Sequence, residues 1–194
     1  MRTMKPFVSV IIPTYNRGYR IKYCIDSILE QTFTNYEIIV IDDNSSDNTW
    51  QIIKKINDER VKYFKLNKNH GAQYARNYGI KISKGEWITF LDSDDEWMSD
   101  KLEKQVNALK FKKYNSNVVI YTHGIKKYDS GKTELMTFPD FQDKETYSKA
   151  LSGFSVLFQS LMVSKSALTD IGFLDEGVAT HQEWDTTILL AKKC

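Results

Sequence analysis

Five runs of apolar, largely β-branched residues recur along the first 123 positions, and segments of helical periodicity separate them. The run Ile38-Ile39-Val40-Ile41 has no polar alternation, which is typical of a strand covered on both faces. Strands that alternate with helices favour a parallel sheet with right-handed crossovers. The sequence therefore predicts an α/β fold with a mostly parallel sheet flanked by helices. The predicted strands are Phe7 to Pro13, Glu37 to Asp43, Val61 to Leu66, Glu86 to Asp92 and Val118 to His123.

The segments between these runs place apolar residues on one face at helical spacing. Lysines between Lys101 and Lys113 are interleaved with apolar residues, so we expect them on the solvent face of a helix. The predicted helices span about Tyr19 to Gln31, a segment after Ser45-Ser46-Asp47 that carries Trp50, Ile53 and Ile56, Ala72 to Ser83, and a segment that begins after the cap candidate Ser99.

Beyond His123 the alternation fades, so the C-terminal part is expected to be more irregular. The predicted features there are a turn at Asp129-Ser130-Gly131 joining two short extended segments, a mixed segment from Phe141 to Leu151, a strand from Val156 to Val163, a loop at Gly172 to Asp175 and a helix from Gln182 to Lys193.

Charge and composition exclude several classes of protein. The 27 basic residues are nearly matched by 25 acidic ones, which argues against a nucleic-acid partner, although weak attraction to an anionic membrane surface stays open. Two cysteines make neither a disulfide framework nor a metal cluster. No apolar stretch approaches the roughly 20 residues of a membrane span, and the first strand is too short for a signal peptide. We therefore expect a soluble, cytoplasmic chain.

Several nucleotide and hydrolase motifs are missing from the sequence. There is no G-x-G-x-x-G after the first strand, no G-x-x-x-x-G-K-[ST] and no G-x-S-x-G. These absences argue against a dinucleotide-dependent dehydrogenase, a P-loop NTPase and a serine hydrolase.

Polar residues cluster where the predicted strands end. Because the carboxyl ends of parallel strands form the ligand crevice of an open sheet, groups distant in sequence should converge there. The four groups are Thr14-Tyr15-Asn16, Asp42-Asp43-Asn44-Ser45, Asn69-His70-Gly71 and Asp92-Ser93-Asp94-Asp95.

The last group crowds three carboxylates together, which would raise their pKa values unless a cation compensates. Mg²⁺ or Mn²⁺ bound to a nucleotide diphosphate needs only one or two such ligands. The alternative is that these aspartates build a turn and a helix cap, and the same alternative applies to Asp42 and Asp43. Arg76, early in a helix, could face a diphosphate, and Gly71 permits close backbone approach.

Together these segments resemble the motifs of family 2 glycosyltransferases, which have the GT-A fold with a Rossmann-like sheet. The resemblance rests on Val8 to Arg17, Ile41 to Asp47, Gly71 to Asn77 and Phe90 to Asp95, in that order. It implies a single domain over residues 1–194, with a nucleotide-sugar-binding half at about 7–123 and an acceptor-side half at about 124–194. It also implies a site for a nucleotide sugar, with UDP favoured, formed by Pro13, Thr14, Tyr15, Asn16, Asp42, Asp43, Gly71, Arg76, Asp92 and Ser93, and a divalent metal, Mn²⁺ or Mg²⁺, on Asp94.

The segment His181-Gln182-Glu183-Trp184-Asp185 resembles the acidic motif of the same family, and Glu183 takes the position of the catalytic base. The family more often has Asp there, but either carboxylate can accept a proton. A helix N-terminus enriched in acidic residues is the alternative interpretation.

The resemblance implies an inverting glycosyltransferase of cell-surface polysaccharide synthesis, with a carbohydrate or lipid-linked acceptor and a peripheral contact with the inner face of the membrane. Two other functions stay open. The chain could bind a nucleotide sugar without transferring it, because it stops soon after Glu183 where family members continue into acceptor-binding segments. A nucleotidyltransferase is disfavoured, because the glycine-rich basic loop expected for a triphosphate is missing.

Overall fold

The computed structural model describes residues 5–139, 146–178 and 180–194. Six strands form one sheet in the order β3-β2-β1-β4-β8-β5, and two more form a separate hairpin, β6-β7. The strands are β1 (Val8–Thr14), β2 (Tyr36–Asp42), β3 (Val61–Lys65), β4 (Trp87–Phe90), β5 (Ile120–Tyr121), β6 (Gly124–Lys127), β7 (Thr133–Met136) and β8 (Leu161–Ser164).

Helices lie between these strands much as the periodicity predicts. They are α1 (Ile21–Leu29), α2 (Thr49–Ile53), α3 (Ala72–Ile82), α4 (Lys101–Phe111), α5 (Thr146–Leu151), α6 (Lys165–Asp170) and α7 (Gln182–Lys193), with one 3₁₀ turn at Phe158–Ser160. None of the helices in the described ranges is long and apolar enough to cross a membrane.

The prediction of a mostly parallel sheet is confirmed. β1 pairs in parallel with β2 along its whole length and with β4, and β2 pairs in parallel with β3. Every residue of β1 and β2 is buried, which explains their continuous apolar sequence. Within the described part of this six-stranded sheet, β8 runs antiparallel, to β4 on one side and to β5 on the other.

Apolar side chains cover both faces of the sheet. Residues of α1 and α4 pack with Val8, Val10 and Ile12 on one face, whereas α3, α6 and α7 pack on the other. A Cβ at Gly79 would lie 2.5 Å from Ile11 Cγ2, so glycine allows α3 to approach β1 closely. That approach sets the first turn of α3 against the carboxyl ends of the strands.

Several predicted boundaries are wrong. The helix expected after Ser99 does begin there, at Lys101, but its N-cap residue is Asp100 and not Ser99. Ile56 lies outside the short helix α2. The fifth predicted strand, Val118 to His123, is shorter in the structure and spans Ile120–Tyr121, because these are the two of its residues that pair with β8. The strand predicted from Val156 to Val163 is a 3₁₀ turn followed by β8. Of the mixed segment Phe141 to Leu151, residues 141–145 lie outside the described ranges.

The expectation that Lys101 faces solvent is also wrong. The residue is only 7% exposed, and its Nζ donates to Gln105 Oε1 at 2.8 Å and to Thr89 Oγ1 at 3.3 Å. The ammonium lies 3.7 Å from the centre of the Trp97 ring. Burial without a neighbouring carboxylate in these contacts lowers the pKa of Lys101 well below its usual value.

Candidate functional site

The loops that follow β1, β2, β3 and β4 meet at one edge of the sheet, as the sequence predicts. Asp43 N–H donates to Thr14 O at 2.8 Å, and Asn16 N–H donates to Ser45 Oγ at 2.8 Å. Arg17 reaches across to Asp94 at 3.3 Å. We call this edge, with its four polar groups, the carboxyl edge.

After β1, the predicted residues Pro13, Thr14, Tyr15 and Asn16 have different environments. Pro13 and Thr14 are buried, and Thr14 Oγ1 has no hydrogen-bond partner among the described residues. Tyr15 is 47% exposed, so its ring is available to a ligand. Asn16 adopts a left-handed backbone (φ 53°), and its Oδ1 accepts from Ser46 N–H at 2.9 Å. The Asn16 side chain thus joins two loops.

The carboxylate of Asp42 is fully buried at the end of β2. Its Oδ1 accepts from Ser45 N–H at 2.7 Å, and its Oδ2 accepts from the hydroxyl of Tyr63. The Tyr63 ring stacks on Trp50 with 4.5 Å between centroids. Burial, followed by the bond to Asp42, raises the pKa of Tyr63, so the phenol stays protonated as the donor. These bonds match the turn-forming alternative for Asp42.

Asp43 holds the loop that precedes α3. Its two carboxylate oxygens accept from the backbone N–H groups of His70 at 2.8 Å and Gly71 at 2.7 Å. Gly71 has a φ of 93°, and a Cβ there would meet nothing within 4 Å, so backbone conformation and not space favours glycine. His70 stacks on Tyr74, with ring centroids 4.0 Å apart. Each oxygen of Asp43 retains capacity for a second hydrogen bond.

Arg76 is the centre of a polar cluster at the edge. It is buried, and its Nη2 donates to Asp92 Oδ1 at 2.7 Å. Its Nη1 donates to Gln73 Oε1 at 2.9 Å and to Gln182 Oε1 at 3.3 Å, so it links α3, the loop after β4 and α7. The guanidinium also lies 4.3 Å from the ring centre of Phe158. The Arg76 Nε has no partner among the described residues.

Gln73 is a candidate site residue that the sequence reasoning missed. It is 3% exposed, and its Nε2 lacks a partner in the described ranges. Because arginine only donates, the amide oxygen of Gln73 must face Arg76, which leaves the NH₂ group pointing elsewhere. A buried amide without a partner is costly, so an acceptor atom of a ligand would be stabilised there. Its spacing from Arg76, three residues on one helix, was the signal available.

The three aspartates after β4 crowd together as predicted. Burial, and then the charges of Asp92 and Asp94, raise the pKa of Asp95 to about 6. Asp92 is engaged by Arg76, Ser93 is buried, and the side chain of Asp94 is 49% exposed beside Arg17. Asp94 is therefore the carboxylate of the group that is open to a ligand.

The donor set suits a divalent cation only if the ligand contributes to its coordination. Among the described residues, no three His, Cys, Asp or Glu side chains are placed to hold a metal ion. The crowded carboxylates are nevertheless hard oxygen donors, and burial, together with the charges of Asp92 and Asp94, raises the pKa of Asp95. Mg²⁺ and Mn²⁺ accept one or two carboxylates when phosphates and water complete the shell. The residues fit that arrangement and do not fit an all-protein cage.

The first turn of α7 carries the other predicted site residue. Glu183 is half-buried, and no described side chain donates to its carboxylate; its backbone oxygen accepts from Thr187 Oγ1 at 2.7 Å. The turn is fixed by Trp184, whose Nε1 donates to Ala150 O at 2.6 Å, and by the bond from Arg76 to Gln182. Arg76 thereby connects Glu183's turn to the carboxyl edge.

Asp185, two residues further, differs from Glu183. Its Oδ2 is buried without a hydrogen-bond partner in the described part of the chain. Burial, and then the charge of Asp175, raise its pKa. Asp185 is thus a second carboxylate of this turn with the capacity to accept a proton.

Comparison with known proteins bears on this arrangement. Residues 9–172 match the family model described as "Glycosyl transferase family 2". The chain is 34% identical over 195 residues to TuaG of Bacillus subtilis, which its name assigns to teichuronic acid biosynthesis as a glycosyltransferase; the match covers all of this chain and 75% of TuaG. It is 46% identical over 106 residues to WfaP of Escherichia coli, named a UDP-Glc:α-D-GlcNAc-diphosphoundecaprenol β-1,3-glucosyltransferase, covering 55% of this chain and 42% of WfaP.

Solved structures have a similar fold. Staphylococcus aureus TarS in complex with UDP-GlcNAc gives a TM-score of 0.72 at 24% identity, over 95% of this chain and 53% of that one. A mannosyltransferase of Pyrobaculum calidifontis in complex with GDP-Man and Mn²⁺ gives 0.69 at 22% identity, over 95% and 51%. The chain thus spans about half the length of these solved chains.

Proposed function

Because the chain belongs to glycosyl transferase family 2 and has the GT-A fold, we propose that it is an inverting glycosyltransferase that uses a UDP-sugar. The observation that carries this proposal is the cluster around Arg76. One buried guanidinium joins Asp92, at the carboxyl edge, to Gln182, next to Glu183. A donor bound at that edge would therefore lie beside a carboxylate that can act as a base.

The carboxyl edge suits a nucleotide. Tyr15 offers an exposed ring for stacking a base, and Asp43 offers carboxylate oxygens for its N–H groups. Thr14 Oγ1, Gln73 Nε2 and Arg76 Nε are buried polar atoms whose partners a bound ligand would supply.

Transfer requires a proton acceptor and a leaving group. In the proposed step, Glu183 takes the proton of an acceptor hydroxyl while that oxygen forms a bond to the anomeric carbon. The bond from that carbon to the diphosphate breaks, and its electron pair leaves with UDP. A single displacement inverts the centre, and the α7 turn orients Glu183 through the contacts of Trp184 and Gln182.

A divalent metal, when bound, would neutralise charge on the departing diphosphate. Asp94 is the residue that would hold it, with Asp92 oriented nearby by Arg76. Arg17, beside Asp94, would face the same negative charge.

For the acceptor, we propose a carbohydrate on a lipid carrier in cell-surface polysaccharide synthesis. The names of two relatives support this class: WfaP is named for a diphosphoundecaprenol-linked sugar, and TuaG is named for teichuronic acid biosynthesis. UDP is favoured over GDP as the donor nucleotide because WfaP and the TarS complex both involve UDP-sugars.

A two-stage experiment tests this function. UDP- and GDP-sugars are first screened for thermal stabilisation with Mn²⁺ and with EDTA; at a hundred times Kd a ligand adds about 2.7 kcal/mol, which raises Tm by several degrees. Sugars that stabilise are then assayed for transfer to lipid-linked saccharides. Stabilisation with transfer supports the proposal. Stabilisation without transfer to any acceptor supports a binding module, and the absence of stabilisation by every nucleotide sugar contradicts both functions.

A further inference from the structure

A second surface of the molecule combines positive charge with exposed apolar side chains. Between Lys104 and Tyr128 the sequence has six lysines and no acidic residue. All six are exposed: Lys104, Lys110, Lys112, Lys113, Lys126 and Lys127. These residues extend from α4 through the edge strand β5 to the hairpin β6-β7, and we call this surface the lysine-rich flank.

At the α4 end of the flank, Phe111 is 84% exposed between Lys110 and Lys112. Lys110, Lys112 and Lys113 form no ion pair with a carboxylate of the described residues. The neighbouring Tyr114 is fixed by edge contact with Phe7, with 5.8 Å between centroids. The phenyl ring of Phe111 therefore lies largely in water, next to ammonium groups with which no described carboxylate pairs.

At the hairpin end, two apolar side chains face each other across the strands. Ile125 pairs with Leu135 in the β6-β7 register, and the two are 59% and 65% exposed. Cross-strand partners project from the same face of a hairpin, so they form one apolar ridge. Lys127 lies two residues after Ile125, so it projects from the same face and supplies positive charge at that ridge, whereas Lys126 projects from the other face, opposite Glu134.

An apolar groove of about 780 Å³ lies between these two ends. It is lined by Lys112 from the end of α4, by β5, and by His123 and Phe138, which flank the hairpin. Its opposite wall comes from α7, beginning at Thr187, whose hydroxyl bonds to Glu183 O. The groove therefore connects the lysine-rich flank with the helix that carries Glu183.

We propose that the lysine-rich flank docks the protein on an anionic phospholipid bilayer, with Phe111 and the Ile125–Leu135 ridge inserted between headgroups and the groove open to an acyl chain. Lysines near an anionic bilayer gain electrostatic energy, and partly buried aromatic and aliphatic side chains add apolar contact at the headgroup boundary. Nucleic acid would satisfy the charge, but it would leave the exposed ridge and groove in water. An anionic lipid surface matches both the charge and the apolar features.

The test is partition of the full chain between buffer and vesicles, measured by sedimentation. The wild type should bind vesicles that contain phosphatidylglycerol and not vesicles of phosphatidylcholine alone, and added salt should weaken binding. The triple variant Lys110→Gln, Lys112→Gln, Lys113→Gln should bind about a hundredfold more weakly, because each lysine contributes roughly fivefold at an anionic surface. Phe111→Ser should lose about tenfold.

Matched variants separate this surface from general charge. Lys54→Gln, Lys55→Gln, Lys68→Gln removes the same charge from exposed positions elsewhere, and Tyr19→Ser removes another exposed aromatic ring. Both should bind vesicles like the wild type. The proposal is overturned if they lose as much as the flank variants, or if the wild type does not distinguish the two vesicles.

Two other partners give distinct results. If the flank variants lose affinity for DNA or RNA while the wild type ignores anionic vesicles, the surface binds nucleic acid and the proposal is wrong. It is also wrong if Phe111→Ser dissociates a dimer seen by sedimentation velocity while vesicle binding persists. Vesicle binding needs neither donor nor acceptor, so its failure is distinguishable from a failure of glycosyl transfer.

Discussion

In the loops of the carboxyl edge, most carboxylates accept hydrogen bonds or form ion pairs within the protein. In the first turn of α7, the carboxylates receive no hydrogen bond from the described side chains. Asp42 and Asp43 each accept two hydrogen bonds from the protein, and Asp92 is paired with Arg76. Glu183 and Asp185, by contrast, receive no hydrogen bond from the described side chains, and burial raises the pKa of Asp185.

The carboxylates of the two regions therefore have different roles: those of the carboxyl edge hold the loops in their conformation, and those of α7 are available for chemistry. Groups held at the carboxyl edge fix the loops in place before a ligand arrives, so a donor would meet a preorganised surface. A carboxylate that receives no hydrogen bond keeps its basicity and can accept a proton. We therefore expect changes at the edge to alter stability and binding, and changes in α7 to alter the rate of transfer.

The largest effect is expected from Glu183→Gln. Glutamine keeps size and polarity but cannot act as the base, so kcat should fall on the order of 10² to 10⁴. Affinity for the UDP-sugar and Tm should stay close to the wild type. Asp185→Asn is the matched variant. If Asp185→Asn lowers kcat more than Glu183→Gln does, Asp185 and not Glu183 is the general base.

Arg76→Met should break the connection between the two regions. The substitution leaves the partly buried Asp92 without its cationic partner and removes the contact with Gln182. The free energy of unfolding should therefore fall by about 3 kcal/mol in denaturant titrations. Arg17→Met is the control, because its pair with Asp94 is exposed and should contribute less than about 1 kcal/mol. Equal losses in both variants would contradict a structural link through Arg76.

Asp94→Asn tests whether the open carboxylate of the edge binds metal. UDP affinity in Mn²⁺ should fall at least about tenfold, because even residues that only orient a metal ligand typically contribute that much. In EDTA the variant and the wild type should bind UDP alike. Asp100→Asn, at an exposed aspartate paired with Lys104, is the control by isothermal titration. The same loss with and without metal would assign Asp94 a structural role instead.

The smallest effect concerns Lys101, whose buried ammonium lies against Thr89, Gln105 and Trp97. Burial lowers its pKa in the folded state, so the unfolded chain binds the proton more tightly and stability should rise with pH from the folded pKa toward 10.5. One proton limits this slope to about 1.4 kcal/mol per pH unit. Lys101→Met should flatten the dependence of Tm on pH between 7 and 9. Lys104→Met, at an exposed lysine of the same helix, should not.

Much of the carboxyl edge is predictable because its signals are local. Apolar runs mark β1 and β2, and the polar residues that follow them, such as Asp42 and Asp43, need only the rule that parallel strands end at one edge. The turn at Asp129-Ser130-Gly131 between β6 and β7 and the helix from Gln182 to Lys193 are also confirmed from local patterns.

What the sequence does not predict depends on distant contacts. β8 pairs between β4 and β5, although about 40 residues separate it from β5, and no local period encodes that partner. Lys101 is buried because Trp97, Thr89 and Gln105 surround it, which charge spacing on a helix does not indicate. Gln73 becomes a site residue only through Arg76 and the burial around it.

The position of β8 also constrains how the chain can be made. β4 ends at Phe90 and β8 begins at Leu161, so about 70 residues must emerge from the ribosome before β4 finds its second neighbour. At roughly 5 to 20 residues per second, the edge of β4 stays unpaired for about 4 to 14 s. During that time an apolar strand edge is open to other nascent chains. Synthesis of this protein should therefore depend on chaperone capacity, and slow codons between positions 91 and 160 should lower its soluble yield.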